Sequence, residues 1–324
     1  MAEFVRTPPI QEIATFIARM NSSKSSNVGY AGMNRHEIEA SLTEEFSDLS
    51  LEDSIVVYME EGKIVGILGF DVELEAGAAE IWGPFIDTEL GPLWQRIATD
   101  LWNTGLAKLE SRVHTFKGFY NTANDRGREL MNQLKADYKQ KETVLVIKPD
   151  ALIKEQGGAY FHHASNGSIE AWDERWAAPF STLHDQCFPS TYYNSTAILE
   201  RRSNENRLFL YTQEEELLGY VYTEGNEEHA EGSLEYIAVA AAARNKGIGT
   251  ALMRYAVTDL FERAIEEVKL CVSSSNHTAL GVYLRAGFTV EQELEFYILN
   301  TEECTSAIKR RKQNEIKYDG PSNC

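Results

Sequence analysis

The reading of the chain turns on the stretch IAVAAAARNKGIGTAL, residues 237–252. Its apolar start, small-residue centre and glycine-punctuated end describe a strand, a turn and the opening of a helix. Gly247 and Gly249 let the backbone pass close to a ligand with no side chain in the way. The N–H groups at a helix start add to the positive end of the helix dipole, which suits a pyrophosphate. Arg244 and Lys246 bring positive charge to the same loop. The loop is not a Walker A motif, because G-x-x-x-x-G-K-[ST] is absent. It is not a dinucleotide fingerprint either, since there is one G-x-G and no βαβ unit around it. Taken alone, a G-x-G turn is equally plain helix-entry geometry.

Working outward, Arg207–Tyr211 and Leu217–Tyr222 read as a hairpin across an acidic turn, and Leu234–Val239 as a third strand. Apolar residues at three- and four-residue steps predict a helix from about Gly249 to Glu267. A strand at Val268–Ser273, a helix around Thr278–Ala286, the turn Gly287-Phe288 and a strand at Phe296–Leu299 follow. The first half repeats this order: strands Ile55–Met59, Ile64–Phe70 and Glu80–Ile86, helix Leu93–Leu109, strand Ser111–Lys117, helix Arg126–Leu134 and strand Val144–Ile147. Gly66 and Gly219 lie 153 residues apart, Phe85 and Val239 154, Asn124 and Asn276 152, and Val144 and Phe296 152. A near-constant offset marks a duplicated domain. Pro149 and Gly157-Gly158 punctuate a polar boundary near 148–158. The expected organisation is therefore 1–150, 158–300 and a polar tail, 301–324, whose Lys309–Lys312 cluster reads as a solvated end.

The run R-x-x-G-x-G after a Val-terminated strand, together with Ser275-Asn276-x-x-Ala279-x-x-x-Tyr283-Leu284-x-x-x-Gly287-Phe288, resembles the GNAT superfamily of acetyltransferases. The close resemblance covers about residues 205–300; the first half matches in element order only, as in the tandem mycothiol synthases with one degenerate copy. The resemblance implies an α+β fold of two GNAT-like domains, each a mixed, mostly antiparallel sheet flanked by helices. It implies acetyl-CoA as acyl donor, with no metal. Ile237 and Val239 would offer backbone groups to the pantetheine arm, which lies like an added strand. Arg244, Asn245, Lys246, Gly247, Ile248, Gly249 and Thr250 would cradle the pyrophosphate, and Asn276 would hydrogen-bond the cofactor. Tyr283 would be the general acid beside the thioester sulfur, its ordinary pKa near 10 suiting a thiolate whose thiol sits near 8.5; otherwise it is a core aromatic. A backbone N–H near Val239 would stabilise the oxyanion as an amine attacks the thioester directly.

The base is less defined. Where some members carry a glutamate on the strand after the long helix, this chain has Cys271. Glu235, sharing strand parity with Ser233 and Ile237, is the candidate, acting directly or through water. Cys271 as a nucleophile lacks a histidine at an evident spacing. Tyr192-Tyr193 either line the acceptor pocket or cover the core. His162-His163 and His184 have no carboxylate or cysteine pattern to support a metal. The first half has Ile-Asp-Thr-Glu-Leu-Gly-Pro where the loop would be, with no R-x-x-G-x-G and with acids where phosphates would sit, and Pro84 removes a backbone donor. It is expected not to bind CoA.

Composition narrows the partners. With 31 basic against 50 acidic residues, the formal charge is −19. That argues against nucleic acid and against an anionic membrane surface, and favours a cationic acceptor. No apolar run approaches the roughly 18 residues of a membrane helix. The start, MAEFVRTPPIQ, does not read as a signal peptide, and four dispersed cysteines fit free thiols in a cytoplasm. The expected activity is N-acetylation of a small-molecule or peptide amine. The alternatives are a non-catalytic acyl-CoA-binding module, or an acyltransferase for a thiol or sugar-amine metabolite. Oligomeric state stays open, a homodimer included.

Overall fold

A computed structural model describes residues 3–4, 7–44, 46–88, 91–155, 167–189 and 191–300. His162-His163, the basic cluster at 309–312, Cys304 and Cys324 lie outside the described residues. The first half runs β1 (Glu3–Phe4), α1 (Ile10–Asn21), α2 (Arg35–Glu44), α3 (Leu51–Ser54), β2 (Ile55–Glu60), β3 (Lys63–Glu73), β4 (Ala78–Ile86), α4 (Gly91–Leu109), β5 (Thr115–Asn121), α5 (Asp125–Leu134) and β6 (Asp137–Ile147). The second runs α6 (Pro149–Glu155), β7 (Ser168–Ala171), α7 (Ala177–Cys187), α8 (Ser195–Arg201), β8 (Arg207–Gln213), β9 (Glu216–Asn226), β10 (Glu231–Val239), α9 (Ile248–Glu262), β11 (Glu267–Ser273), α10 (His277–Arg285) and β12 (Thr289–Asn300).

The repeat is regular. Ile55 and Arg207, Thr115 and Glu267, Asp125 and His277, and Asp137 and Thr289 each start equivalent elements 152 residues apart. Gly66 and Gly219 are equivalent because each lies under the long helix of its half. A Cβ at Gly66 would come within 3.1 Å of Ile97, and one at Gly219 within 3.1 Å of Leu252 and 2.8 Å of the Ala238 carbonyl. The strand partners of these glycines are Ile86 and Val239, so Ile86, not Phe85, is the counterpart of Val239.

The compact units cut across the two halves. One comprises residues 1–141 with the chain from Glu293; the other is Glu142–Gln292. The first unit's sheet runs β1-β2-β3-β4-β5 and closes on Leu294–Asn300 of β12. The second runs β7-β8-β9-β10-β11 and closes on Glu142–Ile147 of β6. Each half thus ends on a strand, part of which completes the sheet of the other unit. The expected boundary near 148–158 marks the sequence repeat, and its residues Pro149–Glu155 form α6, whereas the packing boundary falls inside β6 and β12. Within each unit all pairs are antiparallel except β4–β5 and β10–β11, giving the mixed α+β sheet that was expected.

In the second unit α9 packs Leu252, Met253, Ala256, Val257 and Leu260 against Val221, Leu234, Val268 and Leu270. The other face of the sheet, with Tyr220, Tyr222, Tyr236 and Ala238, is covered by Trp176, Phe180 and Ile198 from the segment of α7 and α8. The expected helix to Glu267 ends at Glu262, because the chain turns at Ala264 (φ +63°). Ile265 and Val268 continue the apolar period but are buried from a turn and a strand. Strand β5 starts four residues later than its expected Ser111. The long polar reaches of β6 and β12, and helices α1, α2, α3, α6, α7 and α8, went unrecognised.

The first unit carries an electrostatic load. Asp71 and Glu80 lie directly opposite on β3 and β4, with Lys117 opposite Glu80 on β5. Burial first, and then the charges of Glu80, Asp48 and Glu73, push the Asp71 carboxyl up to about 7. A carboxyl raised in the folded state costs stability as pH rises from its unfolded value through its folded one. Asp71→Asn should therefore raise the thermal midpoint at pH 8, and this gain should vanish as pH falls toward 4. Melting curves across that range check it; a gain independent of pH contradicts it.

Candidate active site

β10 and β11 pair in parallel only over Glu231–Ser233 and Glu267–Lys269, and then part. On its other side β10 stays bound to β9 out to Val239. Ala240 N–H donates to the Leu218 carbonyl at 2.8 Å, which fixes the phase of that ladder. Hydrogen-bonded and non-bonded pairs alternate along an antiparallel ladder. Ala238 and Ala240 therefore face β9, and Ile237 and Val239 turn their N–H and C=O groups toward the opening. Among the described residues no strand pairs with that edge. Arg244 Nε donates to the Val239 carbonyl at 3.1 Å and ties the loop back to the strand.

The loop bends through Asn245 (φ +63°) and Gly247 (φ +81°), both left-handed, the second at the N-cap of α9. No side chain caps this helix. The N–H groups of Ile248, Gly249 and Thr250 have no acceptor among the described residues, as expected of a first turn left open. Helices α5, α8 and α10 are each capped by an asparagine: Asn124, Asn194 and Asn276. A Cβ at Gly249 would meet nothing nearer than the Val239 Cγ2 at 3.6 Å, so the fold itself does not require glycine there. A bare peptide edge running into an uncapped helix start, with space beside Gly249, fits an extended arm ending in a pyrophosphate. Arg244, Asn245 and Lys246 are exposed around it, while Ile248 is buried and anchors the helix.

Asn276 has a role within the protein. Its side-chain oxygen accepts from Ala279 N–H at 3.1 Å, and Asn124 does the same for Gly127 at 2.9 Å. Its exposed carboxamide nitrogen is what it can still offer a ligand. Tyr283 is 8% exposed and stacks edge-on with Phe288 at 5.8 Å, and its hydroxyl has no partner among the described residues. Burial pushes it up to about 12. The hydroxyl is thus firmly protonated, a hydrogen-bond donor more than a ready acid of pKa near 10.

Glu235 occupies a bulge: Leu234 pairs with Thr223 and Tyr236 with Tyr222, so β10 has one residue too many. The bulge breaks the parity with Ile237 on which the sequence placed Glu235. Leu234 faces the α9 core and Tyr236 the α7–α8 core. Solvent reaches the Glu235 side chain, yet crowding by protein raises its pKa, against a lowering hydrogen bond from Ser233. Cys271 on β11 has the same crevice character. Burial, then the charges of Glu142 and Glu235, push its thiol up to about 12. A thiol held protonated is no nucleophile.

Behind β10, His184 is fully buried on α7. Its Nε2–H donates to the Tyr193 carbonyl (2.9 Å), which leaves Nδ1 to accept from the Tyr220 hydroxyl (2.6 Å). Tyr236 Oη meets Thr191 Oγ1 at 2.7 Å and accepts from Tyr193 N–H at 3.1 Å. The 191–194 segment is thereby fixed, with Tyr193 under the Arg201 guanidinium and Tyr192 outward, 74% exposed. His184 serves this clasp. Among the described residues no group of histidines, cysteines and carboxylates could hold a metal.

The first unit has the same parting, β4 and β5 pairing only over Ala78–Glu80 and Thr115–Lys117, but there the chain fills it. Val28 bridges to Tyr120, Gly29 N–H donates to the Phe119 carbonyl (2.7 Å), and Asn121 N–H to that of Asn27 (3.2 Å). Buried Asn21 holds this segment through the Val28, Ala31 and Gly32 carbonyls and the Val28 N–H. From the β5 side the Tyr120 hydroxyl donates to the Gly83 carbonyl at 2.9 Å. None of this plug was visible as a motif.

Residues 169–288 match the model of the acetyltransferase (GNAT) family. The C-terminal half belongs to the GNAT family of acetyltransferases. The fold likeness extends over the whole chain. A GCN5-related N-acetyltransferase from Sphaerobacter thermophilus superposes with a TM-score of 0.72 at 15% identity, over 93% of this chain and 95% of that one. A tandem GNAT protein from the clavulanic acid biosynthesis pathway gives 0.63 at 15% identity, over all of both chains. A putative acetyltransferase from Pyrococcus horikoshii gives 0.52 at 11%, over 93% and 89%. No protein of curated function matches the sequence. The GNAT family implies an acyl-CoA donor. Among the described residues no helix is long and apolar enough to cross a membrane.

One open edge against one filled edge predicts a single donor site. Calorimetric titration of the full chain with acetyl-CoA should give one molecule per chain. Gly249→Trp should abolish that binding with the melting temperature retained. A stoichiometry of two, or unchanged affinity in the variant, contradicts the assignment.

Proposed function

We propose that this GNAT chain is an acetyl-CoA-dependent N-acetyltransferase that modifies a primary amine and acts through its second unit. The observation that carries the reading is the unpaired Ile237–Val239 edge leading into the uncapped start of α9. Ile237 and Val239 would hold the pantetheine arm as an added strand. The N–H groups of residues 247–250, with Arg244 and Lys246, would take the pyrophosphate, and Asn276 would add one donor. The donor supplies an activated acetyl thioester; the protein orients it and moves protons. Val239 N–H points into the opening, where it can steady the oxygen of the attacked carbonyl. Glu235, its pKa raised by burial, is a stronger base than an ordinary glutamate and would take the ammonium proton, directly or through water. Tyr283, still protonated at every working pH, would donate its hydrogen bond to the departing sulfur.

The acceptor class follows from charge. The loop's cations form a small positive island on a chain of formal charge −19, and the remaining surface attracts a cation. A small-molecule or peptide amine is the proposed partner, with no nucleic acid or membrane, in the cytoplasm. Cys271, where a glutamate would strengthen the case for catalysis, is the observation that favours a binding module as the second reading.

A screen of amines with acetyl-CoA, read by release of free thiol, separates the two. Turnover should fall about 10²–10³-fold in Tyr283→Phe, the cost of one lost transition-state hydrogen-bond donor, with acetyl-CoA affinity retained. Acetyl-CoA binding without turnover of any amine would favour the module.

The pH profile gives an independent check. The base must be ionised, so kcat/KM should fall on the acid side at a pH above that of an ordinary glutamate, about 4.3. Glu235→Gln should remove that limb; an unaltered limb would exclude Glu235 as the base.

A further inference from the structure

One loop residue is gripped by side chains from two other elements. Tyr193 gives its N–H to the Tyr236 hydroxyl on β10 (3.1 Å), and its carbonyl accepts from His184 Nε2 on α7 (2.9 Å). A residue held at both its N–H and its C=O has both flanking peptide planes fixed, and with them the direction of its Cβ. Its neighbours are tied in as well. Thr191 Oγ1 lies 2.7 Å from the Tyr236 hydroxyl, and Ser195 Oγ donates to Asp185 Oδ2 at 3.2 Å. His184 is fully buried, its ring 5.1 Å edge-on from that of Tyr236. Burial lowers its pKa, against the Tyr193 carbonyl and the charge of Asp185, so the neutral ring keeps Nδ1 as an acceptor for Tyr220. Packing alone asks only for an apolar side chain at 184. A buried network of hydrogen bonds to one short segment specifies a position.

What the grip presents is the Tyr193 ring. Arg201 lies over it at 4.4 Å and is itself held by Glu224 through contacts of 3.1 and 3.4 Å. Glu224 also accepts from the Tyr222 hydroxyl at 2.8 Å, and it stands opposite Ser233, two residues before Glu235. The Tyr193 side chain is half-buried, and its hydroxyl has no partner among the described residues. Burial, then the charge of Glu224, raises its pKa; Arg201 opposes the rise and Glu235 adds to it. The phenol is thus protonated, sits in the field of the candidate base, and is open to a hydrogen bond. Tyr236 joins the two parts, because it follows Glu235 at the bulge and reaches Tyr193 with its hydroxyl.

We propose that His184 and Tyr236 are positioning residues of the acceptor site: they hold Tyr193 so that its open hydroxyl meets the acceptor beside Glu235. The inference rests on reading this opening as the acyl-transfer site. It gives a histidine buried behind the sheet a part in acceptor recognition through the residue it holds. Neither positioning residue belongs to the 244–250 loop, so their loss should move acceptor affinity and leave acetyl-CoA affinity in place.

Steady-state kinetics of the full chain test this, with tyramine, spermidine and alaninamide included among the amines as aromatic, polycationic and peptide-like acceptor probes. Tyr236→Phe removes the hold on the Tyr193 N–H with little change of shape. It should raise the acceptor KM about fivefold to tenfold, the scale of one lost hydrogen bond, with the acetyl-CoA KM changed by less than about twofold. Tyr193→Phe should raise the acceptor KM by a similar factor. His184→Phe should do the same, and His184→Gln, whose amide can still donate to the Tyr193 carbonyl, should restore most of the affinity. Where His184→Phe fails to fold, Tyr236→Phe and His184→Gln carry the test. In a Tyr193→Phe background, Tyr236→Phe should add less than about twofold, because the grip acts through the hydroxyl already removed. A merely structural role would move acetyl-CoA and acceptor KM together and multiply with Tyr193→Phe. That pattern, or turnover with an acceptor KM unmoved in Tyr236→Phe, overturns the proposal alone. Acetyl-CoA binding with no turnover of any amine overturns the acyl-transfer reading, and the proposal with it.

Discussion

The site depends on one constraint, the separation of β10 from β11 after three paired residues. A parallel pair that stays together uses its backbone groups within the sheet and leaves nothing for a ligand. Here β9 holds β10 straight while β11 turns to β6, and the bulge at Glu235 marks where the two courses diverge. Each consequence follows from that geometry. Ile237 and Val239 face open space, the loop after Val239 delivers the chain to an uncapped helix start, and Glu235 and Cys271 line the point of the wedge.

The two units show two ways of meeting the same physical demand. Buried backbone polar groups must find partners. In the first unit the demand is met internally, by Asn27–Gly29 laid along β5 and by the Tyr120 hydroxyl on Gly83. That closure is ordered by Asn21, whose carboxamide makes four hydrogen bonds to the segment around Val28. In the second unit no described strand takes the corresponding edge of β10 beyond Ser233. A short stretch of chain closes the first wedge, and the loop after β4 has acidic residues and no R-x-x-G-x-G run.

Much of this was legible along the chain. The hairpins, the long helices and the 152-residue repeat are local patterns of apolar period and turn residues, and each survives in the structure. The loop from Arg244 to Thr250 was legible too, since glycine spacing and cationic residues act over a few positions. What was lost depended on distance. The polar stretch Asp137–Glu142 shows no alternation of apolar residues, so the first half of β6 left no mark along the chain. Glu235 was placed by a period of two that a single extra residue overturned. Asn276, read as a ligand contact, proves first to be a helix cap, a role its counterpart Asn124 keeps in the unit whose edge is filled.

By itself the sequence determined the order of elements, their duplication, and which copy carries a phosphate-type loop, because those properties reside in contiguous residues. Only the tertiary structure decided which backbone edges are free. A hydrogen bond across a sheet joins residues more than a hundred positions apart, as Cys271 and Val144 are. The strand segments that complete each unit's sheet and the plug in the first wedge are both set by such long-range pairing. No local pattern of side chains records them.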